Sequence, residues 1–140
     1  MNFVKAQTIS LALNEYNDCA VKAISIACDV PYKVAHQALS KAGRRNRRGA
    51  HGSELKAAIK SLGFKQEVIK VDAKTVAKIA SDPAVQSGYF LAYVNCHVAA
   101  VVNGKVEDWT EGRRHRLKIV FKVTPNASRK QRQQMQKELF

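Results

Sequence analysis

The sequence predicts a single α+β domain, with helices from its first half packed on an antiparallel sheet from its second. Three observations carry this. Apolar positions recur at helical spacing as far as Leu62. From Phe64 onward, short runs rich in strand formers take over. Asn103-Gly104, a strong two-residue hairpin signal, joins two of those runs. Helices followed by strands, rather than alternating with them, point to α+β. A length of 140 residues suits one domain, and a hydrophobic share of 46% excludes a mostly disordered chain.

Taken in order, Asp18 stands where it can cap a helix beginning near Cys19. The stretch CAVKAISIAC is interrupted only by Lys22 and Ser25. A helix apolar on nearly all sides belongs in the centre of a domain. Asp29-Val30-Pro31 breaks it and opens another helix, because proline suits a first helical turn. Val34, Ala35, Ala38, Leu39 and Ala42 keep helical spacing until Gly43. After the basic loop RRNRRGAHG, Ser53 is expected to cap a third helix with its stripe on Leu55, Ala58, Ile59 and Leu62. Phe64 to Val71 reads as a strand and Ala73 to Ser81 as a short helix closed by Asp82-Pro83. Further strands are expected at Gly88–Val94, His97–Val102, Lys105–Trp109 and Leu117–Val123. Pro125-Asn126 ends the sheet, so the domain should span 1–124, with 125–140 a basic C-terminal helix or mobile tail.

The chain carries 24 Lys and Arg against 11 Asp and Glu, a net charge of +13. The excess is concentrated in Lys41–Arg48 and in residues 113–140, which together hold 14 of the 24 basic residues and one acid, Glu138. Arg44, Arg45, Arg47 and Arg48, with Arg113, Arg114 and Arg116, form the expected basic patches. Such runs attract phosphates or acidic protein surfaces. Sequence-specific nucleic-acid recognition has little support, since no helix-turn-helix pattern or RNP motif is present. No apolar run nears the ~20 residues of a membrane span, and no export signal is visible, so the expected location is the cytoplasm. Three cysteines (Cys19, Cys28, Cys96) do not make a disulfide framework, and no CxxC or HxxxH pair suggests a metal site. No cofactor is expected.

Cys19, His97 and Asp108 stand apart. Cys19 lies at the mouth of the buried helix, where unpaired N–H groups and the helix dipole favour the nucleophilic thiolate. Its own N–H is also positioned for a developing oxyanion. His97 opens a strand. If Asn103 and Gly104 are the turn, Val102 faces Lys105 and Ala99 faces Asp108, so Asp108 is the diagonal neighbour of His97. A carboxylate there fixes the imidazole tautomer and favours the imidazolium, whereas a one-residue slip would separate the two. Cys28 reads as core, nine residues past Cys19 on the opposite side of the helix. Cys96 would point away from His97 in a strand and also reads as core. His36, in mid-helix, and His51, in a basic loop, are less suited to catalysis.

Asn17-Asp18-Cys19 opening an apolar helix, followed by GYFLAYVNCHVAAVV, a turn and KVEDW, resembles the papain-like cysteine peptidases. The nearest likeness is to the C39-like group, which includes bacteriocin-processing domains and small phage-encoded relatives. The resemblance covers about residues 10 to 110. It implies a papain-like fold, with Cys19 as nucleophile, His97 as general base and acid, and Asp108 orienting His97. The family's usual oxyanion Gln, five or six residues before the nucleophile, is replaced here by Asn14 and Leu13, and its usual following Gly by Ala20. Asn14 and Asn17 are the oxyanion candidates. The expected function is a thiol hydrolase, foremost a cysteine peptidase cleaving a peptide or isopeptide bond in a peptide or protein substrate. A transglutaminase or acyltransferase would use the same residues. The alternative is a papain-like binding module, weak or inactive in catalysis, that uses its basic patches on nucleic acid or an acidic protein.

Overall fold

Alternation along the central strands explains the layering. In the computed structural model, which describes residues 1–140, five strands form one antiparallel sheet in the order β1-β5-β2-β3-β4. They are β1 (Phe64–Ile69), β2 (Tyr89–Val94), β3 (His97–Val102), β4 (Lys105–Glu107) and β5 (Ile119–Pro125). β2 and β3 are apolar at nearly every position because both their faces are covered. Leu91, Val98 and Ala100 join the main core beneath the helices, while Phe90, Ala92, Val94 and Val101 join a smaller cluster on the opposite side.

The helices are α1 (Phe3–Ala12), α2 (Cys19–Ala27), α3 (Tyr32–Lys41), α4 (Gly52–Ser61), α5 (Val76–Ile79) and α6 (Arg129–Lys137). α2 lies against β3 and buries seven of its nine residues. α3 and α4 complete the main core with Tyr32, Leu39, Leu55 and Ile59. On the far side, Val76 and Ile79 of α5 and Val85 of a short 3-10 turn (Pro83–Val85) cover the second cluster. No helix is long and apolar enough to cross a membrane.

The class is therefore α+β, and the differences from expectation have local causes. α1 has no clean apolar stripe, and only Ala6 and Ser10 in it are buried. The third expected helix starts earlier, at Gly52: Glu54 Oε1 accepts the His51 N–H at 2.7 Å, so the capping role moves from Ser53 to His51. Asp18 occupies the N-cap of α2, but its side chain makes no capping bond and accepts from the Tyr32 hydroxyl at 2.7 Å. β5 is displaced toward the C-terminus, because residues 113–117 are strapped to residues 74–77 through Val76 N to His115 O, Ala77 N to Arg113 O and Leu117 N to Lys74 O. β4 stops at Glu107, leaving Asp108 and Trp109 in the turn beyond it.

The last sixteen residues belong to the same body as the rest. α6 itself buries nothing. Leu139, just past it, inserts into the main core, and Gln37 Nε2 donates to the Leu139 carbonyl at 2.8 Å. Gln136 Nε2 donates to Leu62 O at 3.2 Å, and the Arg132 guanidinium lies 5.2 Å from the Phe64 ring centroid. A polar helix docks because one terminal apolar side chain anchors it. Leu139→Ala should therefore lower stability by about 2 kcal/mol, measured by urea unfolding. An unchanged midpoint would mean that Leu139 does not anchor α6.

Candidate active site

The site begins with a turn. Asn103 and Gly104 both have positive φ, 48° and 78°, as a tight hairpin of this twist requires. The turn sets Val102 opposite Lys105 and Ala100 opposite Glu107, so Asp108 leaves the ladder one residue beyond that last pair, on the Ala99 side. His97, two residues earlier on β3, meets it: His97 Nε2 lies 2.7 Å from Asp108 Oδ2. The same oxygen accepts from Thr110 Oγ1 at 2.6 Å and Thr110 N at 3.1 Å. Thr110 is fully buried, so the carboxylate is fixed before it meets the ring. With Nε2 engaged by Asp108, Nδ1 is the nitrogen left to exchange a proton with a nucleophile.

Cys19 supplies that nucleophile at the first turn of α2. It lines, with His97, a cleft of about 370 Å³ whose walls also include Asn17, Lys22, Gly49 and Trp109. Three larger concavities, of about 700, 570 and 420 Å³, lie elsewhere and contain neither Cys19 nor His97. Burial pushes the Cys19 thiol up, but the neighbouring His97 imidazole with its charge and the adjacent Val98 main chain outweigh it, so the thiol ends below its ordinary 9.0. Burial likewise pushes His97 down, but the hydrogen bond to Asp108, the interaction with Cys19 and the two negative charges raise it to about 9. Both shifts favour a thiolate–imidazolium pair. Tyr93 is raised to about 12 by burial and by the Cys19 charge, and so stays neutral beside the pair. Cys28, walled into the core, is pushed up to about 12 by burial alone.

Of the oxyanion candidates, Asn17 lines the cleft and Asn14 does not. Asn17 Nδ2 donates to Arg47 O at 3.2 Å, which orients its amide. Cys96 is exposed, not core: it takes a left-handed φ of 57° in the β2–β3 turn and lines the cleft beside His97.

Three contributors were not visible in the sequence. Thr110 is one. Trp109 is another, its ring 5.2 Å from that of His97 and flanked by the Arg113 guanidinium at 5.4 Å. The third is a charged knot beneath the loop that precedes Cys19. Glu15, almost buried, receives Arg44 Nη2 at 3.1 Å, the Arg47 N–H at 2.7 Å and His36 Nε2 at 2.8 Å. Arg44 also donates to Arg48 O at 2.8 Å. The residue is only 4% exposed, so Arg44 is a structural ion-pair partner and not part of a basic surface patch. Arg45, Arg47, Arg48, Arg113, Arg114 and Arg116 are exposed. Arg114 faces a separate concavity beside Lys74 and Lys78, and Arg116 bridges to Thr75, so the arginines do not form one surface. No group of His, Cys, Asp and Glu side chains is arranged to hold a metal ion.

No family model, curated protein or solved structure matches the chain.

The knot predicts an acid-sensitive fold. Burial raises Glu15, but hydrogen bonds from Arg44, His36 and the Arg47 main chain, with the Arg44 charge, bring it down to about 2 from 4.5. A depressed folded-state value means the stabilisation is complete above 4.5 and is lost as pH falls toward about 2. Glu15→Gln should cost about 3 kcal/mol or more, because it strands Arg44 without its partner. Urea unfolding across this pH window should show a stability loss in the wild type that the variant lacks.

Proposed function

We propose that the protein is a thiol hydrolase of papain-like organisation that cleaves peptide or isopeptide bonds. The observation that carries this is the 2.7 Å His97–Asp108 contact beside a helix-mouth cysteine whose thiol is shifted toward thiolate. The order of nucleophile, base and acid along the chain, and the setting of a nucleophile helix against an antiparallel sheet, further support the reading.

The chemistry follows from the charges. The Cys19 thiolate attacks the carbonyl carbon, and the negative oxygen forms where the Cys19 N–H and the Asn17 amide can donate to it. The tetrahedral intermediate collapses as the C–N bond breaks. His97 gives its Nδ1 proton to the departing amine, leaving a thioester on Cys19 and a neutral imidazole. That imidazole takes a proton from water, which attacks the thioester. The acid departs, and the thiolate–imidazolium pair is restored. Asp108 orients the ring throughout and stabilises its positive form.

The pair predicts a distinctive alkylation profile. Iodoacetamide at pH 6 should label Cys19 selectively, well ahead of Cys28 and Cys96. His97→Ala should slow Cys19 labelling at least about tenfold, and Asp108→Asn should slow it less. Hydrolysis should fall as pH passes about 9, where His97 loses the proton the leaving amine needs. Peptide-library digestion read by mass spectrometry should give new termini with the wild type and none with Cys19→Ala. Equally slow labelling of all three cysteines, or identical termini from both proteins, overturns the proposal.

A further inference from the structure

Beside the cleft the protein turns large apolar side chains to solvent. Leu11 is 68% exposed, Leu13 59% and Tyr16 55%. Single exposed leucines are ordinary, but three large apolar side chains within six residues, contiguous with a cationic loop, are not. Loop 45–48 lies against the C-terminal end of this segment. Arg47 Nε donates to Asn14 O at 3.0 Å, and its guanidinium sits 6.0 Å from the Tyr16 ring centroid. Arg45 and Arg48 extend from the same loop, both exposed.

The acids of these segments offset only part of the charge. Residues 1–16 contain one acid, Glu15, and residues 41–54 contain one, Glu54. Glu15 is consumed by Arg44 and His36, and Glu54, which accepts the His51 N–H at the start of α4, is the one carboxylate left to line a concavity with Arg45 and Arg48. The surface also runs into the cleft: Asn17 and Gly49, which continue the two segments, both line it.

We propose that Leu11, Leu13 and Tyr16, with Arg45, Arg47 and Arg48, form a docking surface for an acidic polypeptide segment carrying bulky apolar side chains. Guanidinium forks match carboxylates in geometry and charge. The leucines select polypeptide over nucleic acid, because a sugar–phosphate backbone offers them no apolar counterpart and bases are met chiefly by aromatic side chains. A membrane surface asks for a broader apolar face than the few side chains present here. Docking itself is independent of catalysis. Delivery of the docked chain to Cys19 rests on the hydrolase reading.

The test uses the full chain carrying Cys19→Ser, so that nothing is cleaved, and fluorescence anisotropy with a labelled synthetic peptide of alternating Glu and Leu. That peptide should bind, and a version with every Leu replaced by Ser should bind at least about tenfold more weakly. Leu11→Ser with Leu13→Ser, and separately Arg45→Glu with Arg48→Glu, should each weaken binding at least about tenfold, with circular dichroism unchanged because all four side chains are exposed. Undiminished binding by the leucine variant, equal affinity for the Ser peptide, or tighter binding of oligo-dT than of the Glu-Leu peptide overturns the proposal. Docking without Cys19-dependent cleavage would remove only the hydrolase reading.

Discussion

A two-residue turn sets the register on which the cleft depends. Asn103 and Gly104 adopt the left-handed conformations that let β3 return directly as β4. Side chains alternate across a strand, so a slip of one residue would carry Asp108 to the other face of the sheet and leave His97 without its acid. With the register as observed, Thr110 fixes the carboxylate, the carboxylate fixes the ring, and the ring lowers the Cys19 thiol. Each link is short-range, yet none survives a change in the turn.

On the other wall of the cleft, order comes from a buried charge. Loop 13–18 and loop 43–49 contain few apolar residues to hold them together, and Glu15 substitutes for a core. It gathers Arg44, His36 and the Arg47 main chain around one carboxylate. Buried ion pairs seldom add much net stability, but losing one partner is expensive. The arrangement therefore acts as a latch, and it holds Asn17 and the start of α2 where the cleft needs them. It also means that the strongly basic composition overstates the cationic surface, since Arg44 is spent internally.

Much of this was legible in the sequence. The apolar helix from Cys19, the central strands and the Asn103-Gly104 turn are local signals, and register arithmetic from that turn was enough to bring His97 and Asp108 together. What was hidden is non-local. Glu15, His36 and Arg44 come from three separate segments, and no spacing rule relates them. α1 was hidden because its apolar residues do not fall on one stripe, some of them facing solvent. β5 starts later than the pattern from Leu117 implies because the preceding residues are held to residues 74–77, a contact the linear pattern does not announce. Strand alternation does not reach Cys96, which sits in a turn where a left-handed backbone redirects the side chain.

The stretch from Asp108 to Leu117 has two attachments of different character. It starts at the carboxylate that steers His97 and ends strapped, by main-chain bonds, to the small layer on the reverse of the sheet. One ribbon thus joins the site to that layer. The thin reverse layer, built around a four-residue helix, is the natural place for the native state to breathe. Loosening there slackens the ribbon at its far end, so the alignment of the imidazole is tied to the fortunes of a region that never touches the cleft.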